Sequence, residues 1–571
     1  MQTKTCQNCK RDFTIEPDDF DFYDRMKVPP PTWCPQCRLI RRMVFRNEQS
    51  LFKRKDAHTG DIIFSGFHED VDVKTYKNNY WMGDEWDKCA TGRDYDFSRP
   101  FFEQFKELRR DAPLPALSVL TMINSDYCNE AGDMKNCYLC FNADYCEDSS
   151  YLVKGRHIKD SLDLYESKQS EYSYDSSMLT DCNRCFYSQD CESCVDVWFS
   201  KDLRGCTNCF GCVNLRNKSY CIFNKQYTKD EYDRELAKYN VGSYKQIQAL
   251  KKEVREFWLQ FPNKYYHGNK NLNSSGEKVS NTKNVQHGFS VRGGENMKYV
   301  FDLYPPAANS YDYTIWGDKA ENIYESVVCG VGIYNLKFCS NSWEDARDLE
   351  YCIFCFSCSD CFGCVGLHKK KYCIFNKQYT KEEYFDLKEK IIAQMKELPY
   401  IDKNGREFRY GEFFPYDCSL YAYNESLAYY FFPLTKEEAL QQGFAWRDAK
   451  ESEYITTLDS RDLADTLHEV SDDILKETIK CSACARAYRI IQTELGFYRR
   501  MNIPIPRLCQ KCRFEERFQD MTKPVYHQRE CMCEHDSHGH EGKCKIAFET
   551  AYEPDRPEIV YCEDCYQKEV V

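Results

Sequence analysis

The sequence predicts a mainly β chain with some α: a duplicated, Cys-rich, parallel β-solenoid-like repeat region with helical ends, flanked by two four-cysteine modules and closed by a C-terminal Cys/His module. Three observations predict it. Paired CxxC knuckles with one spacing stand near both ends of the chain. The block Tyr-Cys-Ile-Phe-Asn-Lys-Gln-Tyr-Thr occurs at 220–228 and again at 372–380. Within the middle, a polar residue, then Asn or Asp, then an apolar or Cys-rich pair recurs every 9–14 residues.

The terminal modules come first. Cys6-x2-Cys9 and Cys34-x2-Cys37 are separated by 24 residues, as are Cys481-x2-Cys484 and Cys509-x2-Cys512. Without gaps, Phe22-Tyr23 aligns with Phe497-Tyr498, Arg25-Met26 with Arg500-Met501, and Arg38 and Arg42 with Arg513 and Arg517. A CxxC turn puts two thiolates on one knuckle, and two knuckles complete a tetrahedral site with Zn–S of about 2.3 Å. Four pairs in two equal brackets fit metal better than dithiol redox, which wants one pair on a strand–helix turn. Both modules are therefore read as zinc ribbons, with rubredoxin-like iron as the rival. Phe13, Ile15, Phe22 and Tyr23 are expected to cover the metal over a small antiparallel sheet. A closed four-thiolate site leaves no open coordination position, so its role is structural.

A basic run follows each second knuckle. Arg38, Arg42 and Arg46, joined by Arg41, share one helix face, and Arg513 and Arg517 repeat the step. These are candidate phosphate-binding residues. A solvated face, or pairing with acidic parts of the same chain, is the plainer reading.

In the middle, Cys206-x2-Cys209-Phe-Gly-Cys212 matches Cys358-x2-Cys361-Phe-Gly-Cys364 at the same offset from the nine-residue block. Thr228-x2-Glu231 and Thr380-x2-Glu383 read as capping boxes, with helices to about 261 and about 398. Small polar corners with compact inward residues suggest a parallel solenoid, two short units making one coil of roughly 22–26 residues. Equivalent residues would then stack about 4.8 Å apart, and Asn side chains would ladder from coil to coil. Cys352, Cys355, Cys358, Cys361 and Cys364 place a thiol at every third position. An inward ladder of small apolar thiols explains this more simply than a metal cluster.

The expected divisions are a ribbon with a basic helix at 1–55, an aromatic and acidic cap at 56–122, solenoid bodies at 123–262 and 263–398, a spacer at 399–479, the second ribbon at 480–529, and a zinc module at 530–571. A helix near Ser98 should bury Phe101, Phe102, Phe105 and Leu108 as cap core, and Thr435-x2-Glu438 should open a short helix. Residues 263–282 read as a loop. In the last module, Cys562 and Cys565 are expected to bind a third zinc with two ligands from Cys531, Cys533 and Cys544. His535, His538 and His540 read as spare ligands or a polar loop.

Composition limits the alternatives. The 571 residues hold 35 Cys and 43 Tyr, with a net charge of −13. Residues 1–55 carry +5 and residues 480–529 carry +7, which leaves −25 for the rest. Disulfide-dense folds are small chains without a core, and no signal-like apolar stretch or membrane-length run is present, so reduced thiols and a cytoplasmic location are expected.

The layout, the stretch Gly92-Arg-Asp-Tyr-Asp-Phe-Ser-Arg-Pro-Phe-Phe-Glu-Gln-Phe105, the nine-residue blocks and the tail Pro554-Asp-Arg-Pro-Glu-Ile-Val-Tyr-Cys-Glu-Asp-Cys565 resemble a Cys-rich, zinc-ribbon-containing protein family of candidate-phyla bacteria. The ends resemble the zinc-ribbon class that reads CxxC…F…FY…P…CxxCR. The resemblance implies the architecture and carries over no catalytic residue. No nucleotide-binding or nucleophile motif stands out. The expected function is a zinc-binding scaffold for a protein or ribonucleoprotein partner, holding two to three Zn2+, with RNA or DNA contact at the ribbon edges and no membrane. A carbohydrate-active enzyme with carboxylates such as Asp126, Asp144, Glu147 and Asp148 on the solenoid face is the first alternative. Thiol redox or metal storage is the second.

Overall fold

In a computed structural model, which describes residues 1–448 and 454–570, every third residue from Cys128 to Cys212 is buried. The residue before each is left-handed: from Glu130 to Phe223 every third φ lies between +45° and +67°. Two extended residues and one αL residue therefore make each side of the coil, and strand pairing repeats after 12 residues, as in Val153↔Tyr165 and Leu162↔Tyr174. Each recurring unit is thus a whole coil, not half of one. The expected coil of 22–26 residues is corrected to 12.

The αL corners carry a steric cost of roughly 1–2 kcal/mol for a residue with a Cβ. Hydrogen bonding offsets it. Where an inward residue is Ser or Cys, its side chain takes up the amide of the inward residue one coil later. Ser161 Oγ accepts from Ser173 N–H at 3.0 Å, Ser173 Oγ from Cys185 N–H at 3.1 Å, and Cys128 Sγ from Cys140 N–H at 3.4 Å. The same side chains donate onward, as Cys137 Sγ does to the Cys146 carbonyl at 3.4 Å. Ser and Cys both offer a small side chain with a hydrogen-bonding γ-atom, so they interchange along the interior, beside inward Leu, Ile and Val.

The chain divides into two compact units. One holds Met1–Leu117, Tyr266–Asp448 and Lys523–Tyr526; the other holds Ser118–Tyr265, Ala449–Thr522 and His527–Val571. The first unit's parallel sheet begins at Gly268–Asn269, so much of the expected 263–282 loop is already solenoid. Its coils lengthen to 13 residues between Glu295↔Ala308 and Tyr334↔Arg347, then return to 12. The additional residue falls at one corner, where Asp318 with Lys319 and Glu344 with Asp345 are consecutive αL residues. Outward Asn corners form the expected ladder: Asn273, Asn284, Asn296 and Asn309 are linked by amide hydrogen bonds of 3.0–3.2 Å.

The nine-residue blocks end the solenoids. Ser219–Ile222 turns back antiparallel on Lys225–Gln226, and Lys371–Ile374 on Lys377–Gln378. Two αL residues make each turn, Phe223-Asn224 and Phe375-Asn376. The Asn side chain closes the last open coil: Asn376 Oδ1 accepts from Val365 N–H at 2.9 Å and Nδ2 donates to Val365 O at 2.7 Å, and Asn224 does the same at Val213. Both capping boxes form. Thr380 starts one helix, Lys381–Glu397, whereas Thr228 starts Lys229–Leu236, followed by a second helix at Tyr244–Trp258.

The cap helix is Phe101–Asp111. Its Phe101 ring lies 5.2 Å from Phe375 and 5.5 Å from Phe362, so the aromatics are end-coil core. The helix after Thr435 spans Lys436–Gln441. Of the expected 399–479 spacer, residues 449–453 lie outside the described residues. No helix among the described residues is long and apolar enough to cross a membrane.

Candidate metal centres

Each ribbon is built from a hairpin and two helices. Cys6 and Cys9 sit in the turn between strands Gln2–Thr5 and Asp12–Ile15, the helix Pro17–Met26 follows, and Cys34 and Cys37 open the helix Pro35–Met43. The second ribbon repeats this with Ile479–Lys480, Ala487–Tyr488, Gln492–Met501 and Gln510–Gln519. The spacer between knuckles is thus half helix, where a small sheet alone was expected. Lys27 and Asn502 end the equivalent helices in αL conformation, at φ of 55° and 52°.

The sulfurs converge. Within each of the sets Cys6, Cys9, Cys34, Cys37 and Cys481, Cys484, Cys509, Cys512, all ligand atoms lie within 4.8 Å of one another. Cys9 and Cys34 Sγ are 3.7 Å apart, and so are Cys484 and Cys509. The edge of a tetrahedron with metal–sulfur bonds of about 2.3 Å is roughly 3.8 Å, so the donor set fits a four-thiolate ion. Amides add support: Cys34 N–H donates to Cys6 Sγ at 3.2 Å, and Cys509 N–H to Cys481 Sγ at 3.3 Å. The second knuckle of each ribbon also lies at a helix N-terminus, where the backbone dipole favours thiolate. All 35 cysteines are free of disulfides.

The arginines after the second knuckle face inward. In the first unit Arg38 meets Asp312 at 2.9 Å, Arg41 meets Glu325 and Glu412 at 2.9 Å each, and Arg42 meets Asp312 at 3.2 Å and Glu325 at 3.3 Å. Arg46 pairs with Glu48 at 3.1 Å. In the second unit Arg513 meets Asp163 at 2.9 Å and Glu494 at 3.4 Å, while Arg517 meets Asp163 at 3.2 Å and Asp175 at 2.7 Å. All five candidate phosphate residues, Arg38, Arg42, Arg46, Arg513 and Arg517, are buried. Their anions are carboxylates of their own chain, which corrects the phosphate expectation.

Four of the acidic partners, Asp312 and Glu325 in the first unit and Asp163 and Asp175 in the second, sit at αL corners of the solenoids, at matching heights. Tyr311 and Leu162 each stand five coils before the closing turn, counted by register through 324, 337, 350, 362 and 374, and through 174, 186, 198, 210 and 222. Thus one ribbon-on-solenoid contact is made twice, the N-terminal ribbon with the second solenoid and the C-terminal ribbon with the first. Phe22 stacks on Tyr311 at 3.9 Å, and Tyr498 meets Tyr174 edge-on at 5.6 Å. Phe22 and Tyr23 were expected over the metal; they pack on the solenoid instead. Burial would raise Asp175, but Lys251 and Arg517 hold it down at about 2. Burial alone would lower Arg38, yet Asp312 brings it well above the usual guanidinium value.

In the C-terminal module Cys531, Cys544, Cys562 and Cys565 form a third set, which selects Cys531 and Cys544 to complete the expected pair. Cys533 is drawn into a different group with His538, His540 and Cys565; His535 belongs to neither.

The middle cysteines bring together no such group among the described residues. Burial pushes the Cys329 thiol up to about 12 and Cys221 up to about 11, which keeps these sulfurs protonated and unreactive. Of the surface carboxylates, Glu147 pairs with Lys135 and Lys159, and Asp148 accepts from Asn136, as rungs of outer ladders. The second unit has a cavity of about 420 Å³ whose lining includes Lys201, Lys251, Arg255, Trp258, Asp520 and Glu558. The sequence carried no signal for it, because its lining comes from four separate stretches of chain.

No family model and no curated protein matches the chain. Among solved structures, a crystal structure of a proposed acetyltransferase from Desulfovibrio desulfuricans G20 aligns with 50% of this chain and 84% of its own at 9% identity, with a TM-score of 0.11. So low a score carries no argument.

Proposed function

We propose that the protein is a zinc-stabilised scaffold that binds a protein partner through its solenoid. The observation that carries this reading is the consumption of the ribbon arginines. With Arg38, Arg41, Arg42, Arg513 and Arg517 paired internally, the ribbons clamp the solenoids, and these arginines serve carboxylates of the chain in place of phosphate. Zinc suits the three sets of four thiolates because soft thiolate ligands in a closed tetrahedron favour it.

A protein partner fits the exposed apolar residues at one end of the first solenoid. Among the described residues, strand Val119–Ile123 pairs only with Asn129–Lys135, and it presents Leu120 and Ile123 at 42% and 53% exposure. An edge strand with exposed apolar side chains is a template for strand addition.

Affinity capture from the native cell with the full chain, beside a Leu120→Asp/Ile123→Asp variant, tests the proposal. The expected result is a protein recovered with the parent chain and lost with the variant. Recovery of RNA in a salt-sensitive complex would replace this reading with a ribonucleoprotein one. Metal analysis showing no zinc would remove its structural basis.

A further inference from the structure

Two tetrahedra that share one corner need seven ligands, and the C-terminal module supplies seven. We propose that this module holds two zinc ions bridged by the Cys565 thiolate, the first bound by Cys531, Cys544, Cys562 and Cys565 and the second by Cys533, His538, His540 and Cys565. The proposal rests on reading the thiolate sets as zinc sites and adds one ion to them.

Both groups keep all ligand atoms within 4.8 Å, and Cys565 belongs to each. In the second group His538 Nδ1 stands 3.1 Å from Cys533 Sγ, and His540 Nε2 stands 3.4 Å from Cys565 Sγ. A sulfur and an imidazole nitrogen on one tetrahedral ion lie roughly 3.5 Å apart, given Zn–S of about 2.3 Å and Zn–N of about 2.0–2.1 Å. The two different ring nitrogens, Nδ1 in one case and Nε2 in the other, are therefore both aimed at thiolates.

The far side of each ring carries the second argument. His540 Nδ1 is 2.8 Å from the Gly542 carbonyl, which fixes the proton on Nδ1 and leaves the Nε2 lone pair facing Cys565. His538 Nε2 is 3.3 Å from the Glu569 carboxylate, which leaves Nδ1 free to face Cys533. Metal-bound imidazoles nearly always donate their other N–H to a carbonyl or carboxylate in this way. Two unrelated partners set two opposite tautomers, and both choices point the lone pair inward. A merely polar loop has no reason to arrange them so.

Charge and burial agree. Cys533, Cys544, Cys562 and Cys565 are buried, and His538 is only 8% exposed. A single divalent ion among four thiolates is formally dianionic. A second ion, bringing one further thiolate and two neutral imidazoles, reduces the buried cluster to a monoanion. Cys533 also accepts the His535 amide at 3.4 Å, as expected of a thiolate.

Native mass spectrometry of the full chain, purified with zinc, reads the number of ions directly. Four per chain is expected. Three would overturn the bridged pair while leaving the four-thiolate sites standing, and none would overturn both. A His538→Ala/His540→Ala variant should bind one ion fewer than the parent, and an unchanged count would refute the assignment. Because a variant module can misfold, zinc X-ray absorption of the unmutated chain gives an independent reading. A Zn–N shell with a metal–metal vector near 3.5–4 Å supports the pair, and a spectrum of sulfur alone eliminates it.

Discussion

Asp312 and Asp163 have fully buried side chains, each beside two guanidinium groups, and the consequences are unequal for pair and partner. Burying such a network brings little net stability, because desolvation consumes most of the Coulombic gain. Removing one member is different, since it strands an unpaired charge. Arg38→Ala should cost about 3–5 kcal/mol in the first unit, and Arg513→Ala a similar amount in the second. Denaturant unfolding followed by fluorescence of each unit checks this, and a loss below about 1 kcal/mol would mean the carboxylate is hydrated. Cysteines divide by the same logic. Cys355 belongs to no metal-ligand group among the described residues; its Sγ donates to the Cys364 carbonyl at 3.6 Å, and a hydroxyl can do the same. Cys355→Ser is therefore expected to leave the metal count intact and change stability by about 1 kcal/mol or less, whereas Cys34→Ser should lose one ion. Equal metal loss in both variants would contradict the ladder assignment.

At the scale of elements, the sequence was legible where one residue type serves one purpose. The knuckles, the capping boxes at Thr228, Thr380 and Thr435, and the thiol run at 352–364 could be read directly, since metal geometry, helix ends and interior width each demand particular residues. The coil length could not. Its corners are αL residues, and the sequence fills them with Asn and Asp but also with Tyr145, Lys154, Met178 and Val328, so the corner signal drops in and out. The ribbon docking was also hidden: helical spacing puts Arg38 and Arg42 on one face, but Asp312 is far away in sequence and nothing local announces it. The nine-residue block was visible as a repeat long before its purpose was. Its Asn376 ends a solenoid by replacing the missing next coil with a side-chain amide. Asn376→Ala should lose three hydrogen bonds, two to Val365 and one to Thr91, and strain a φ of 62°, for roughly 2–4 kcal/mol. Hydrogen exchange should then quicken in Lys371–Ile374, and unchanged protection there would show that the helix Lys381–Glu397 closes the end unaided.

Across the whole molecule, two kinds of interior respond to different agents. The solenoid interiors are Cys, Ser, Leu and Val ladders that bring together no metal-ligand group among the described residues, while each ribbon gathers four thiolates, the second beside apolar residues such as Tyr488, Leu495 and Tyr498 that it packs against the solenoid. Acid acts on both. Asp175 and Glu350 are held at about 2 in the folded chain, against burial, by Lys251 with Arg517 and by Lys388 with Lys337. Their folded pKa values lie below the unfolded ones of about 3.9 and 4.3, so their contribution is complete above those values and is lost as pH falls towards 2. Thiolate protonation releases metal over its own range. A chelator separates the two effects at neutral pH. Isolated zinc modules owe about 10–16 kcal/mol to their ion, so strong chelation should unfold residues 1–50 and 480–570. The solenoids keep their ladders and should retain their β signal by circular dichroism. Limited proteolysis of the chelated protein is then expected to cut first within the ribbons and the C-terminal module, leaving resistant fragments that span 128–222 and 276–378. Ribbons that stay resistant without metal would show that their arginine contacts with the solenoid, and not the ion, hold them folded. Solenoids that melt together with the ribbons would instead mean that docking is what keeps the left-handed corners in place.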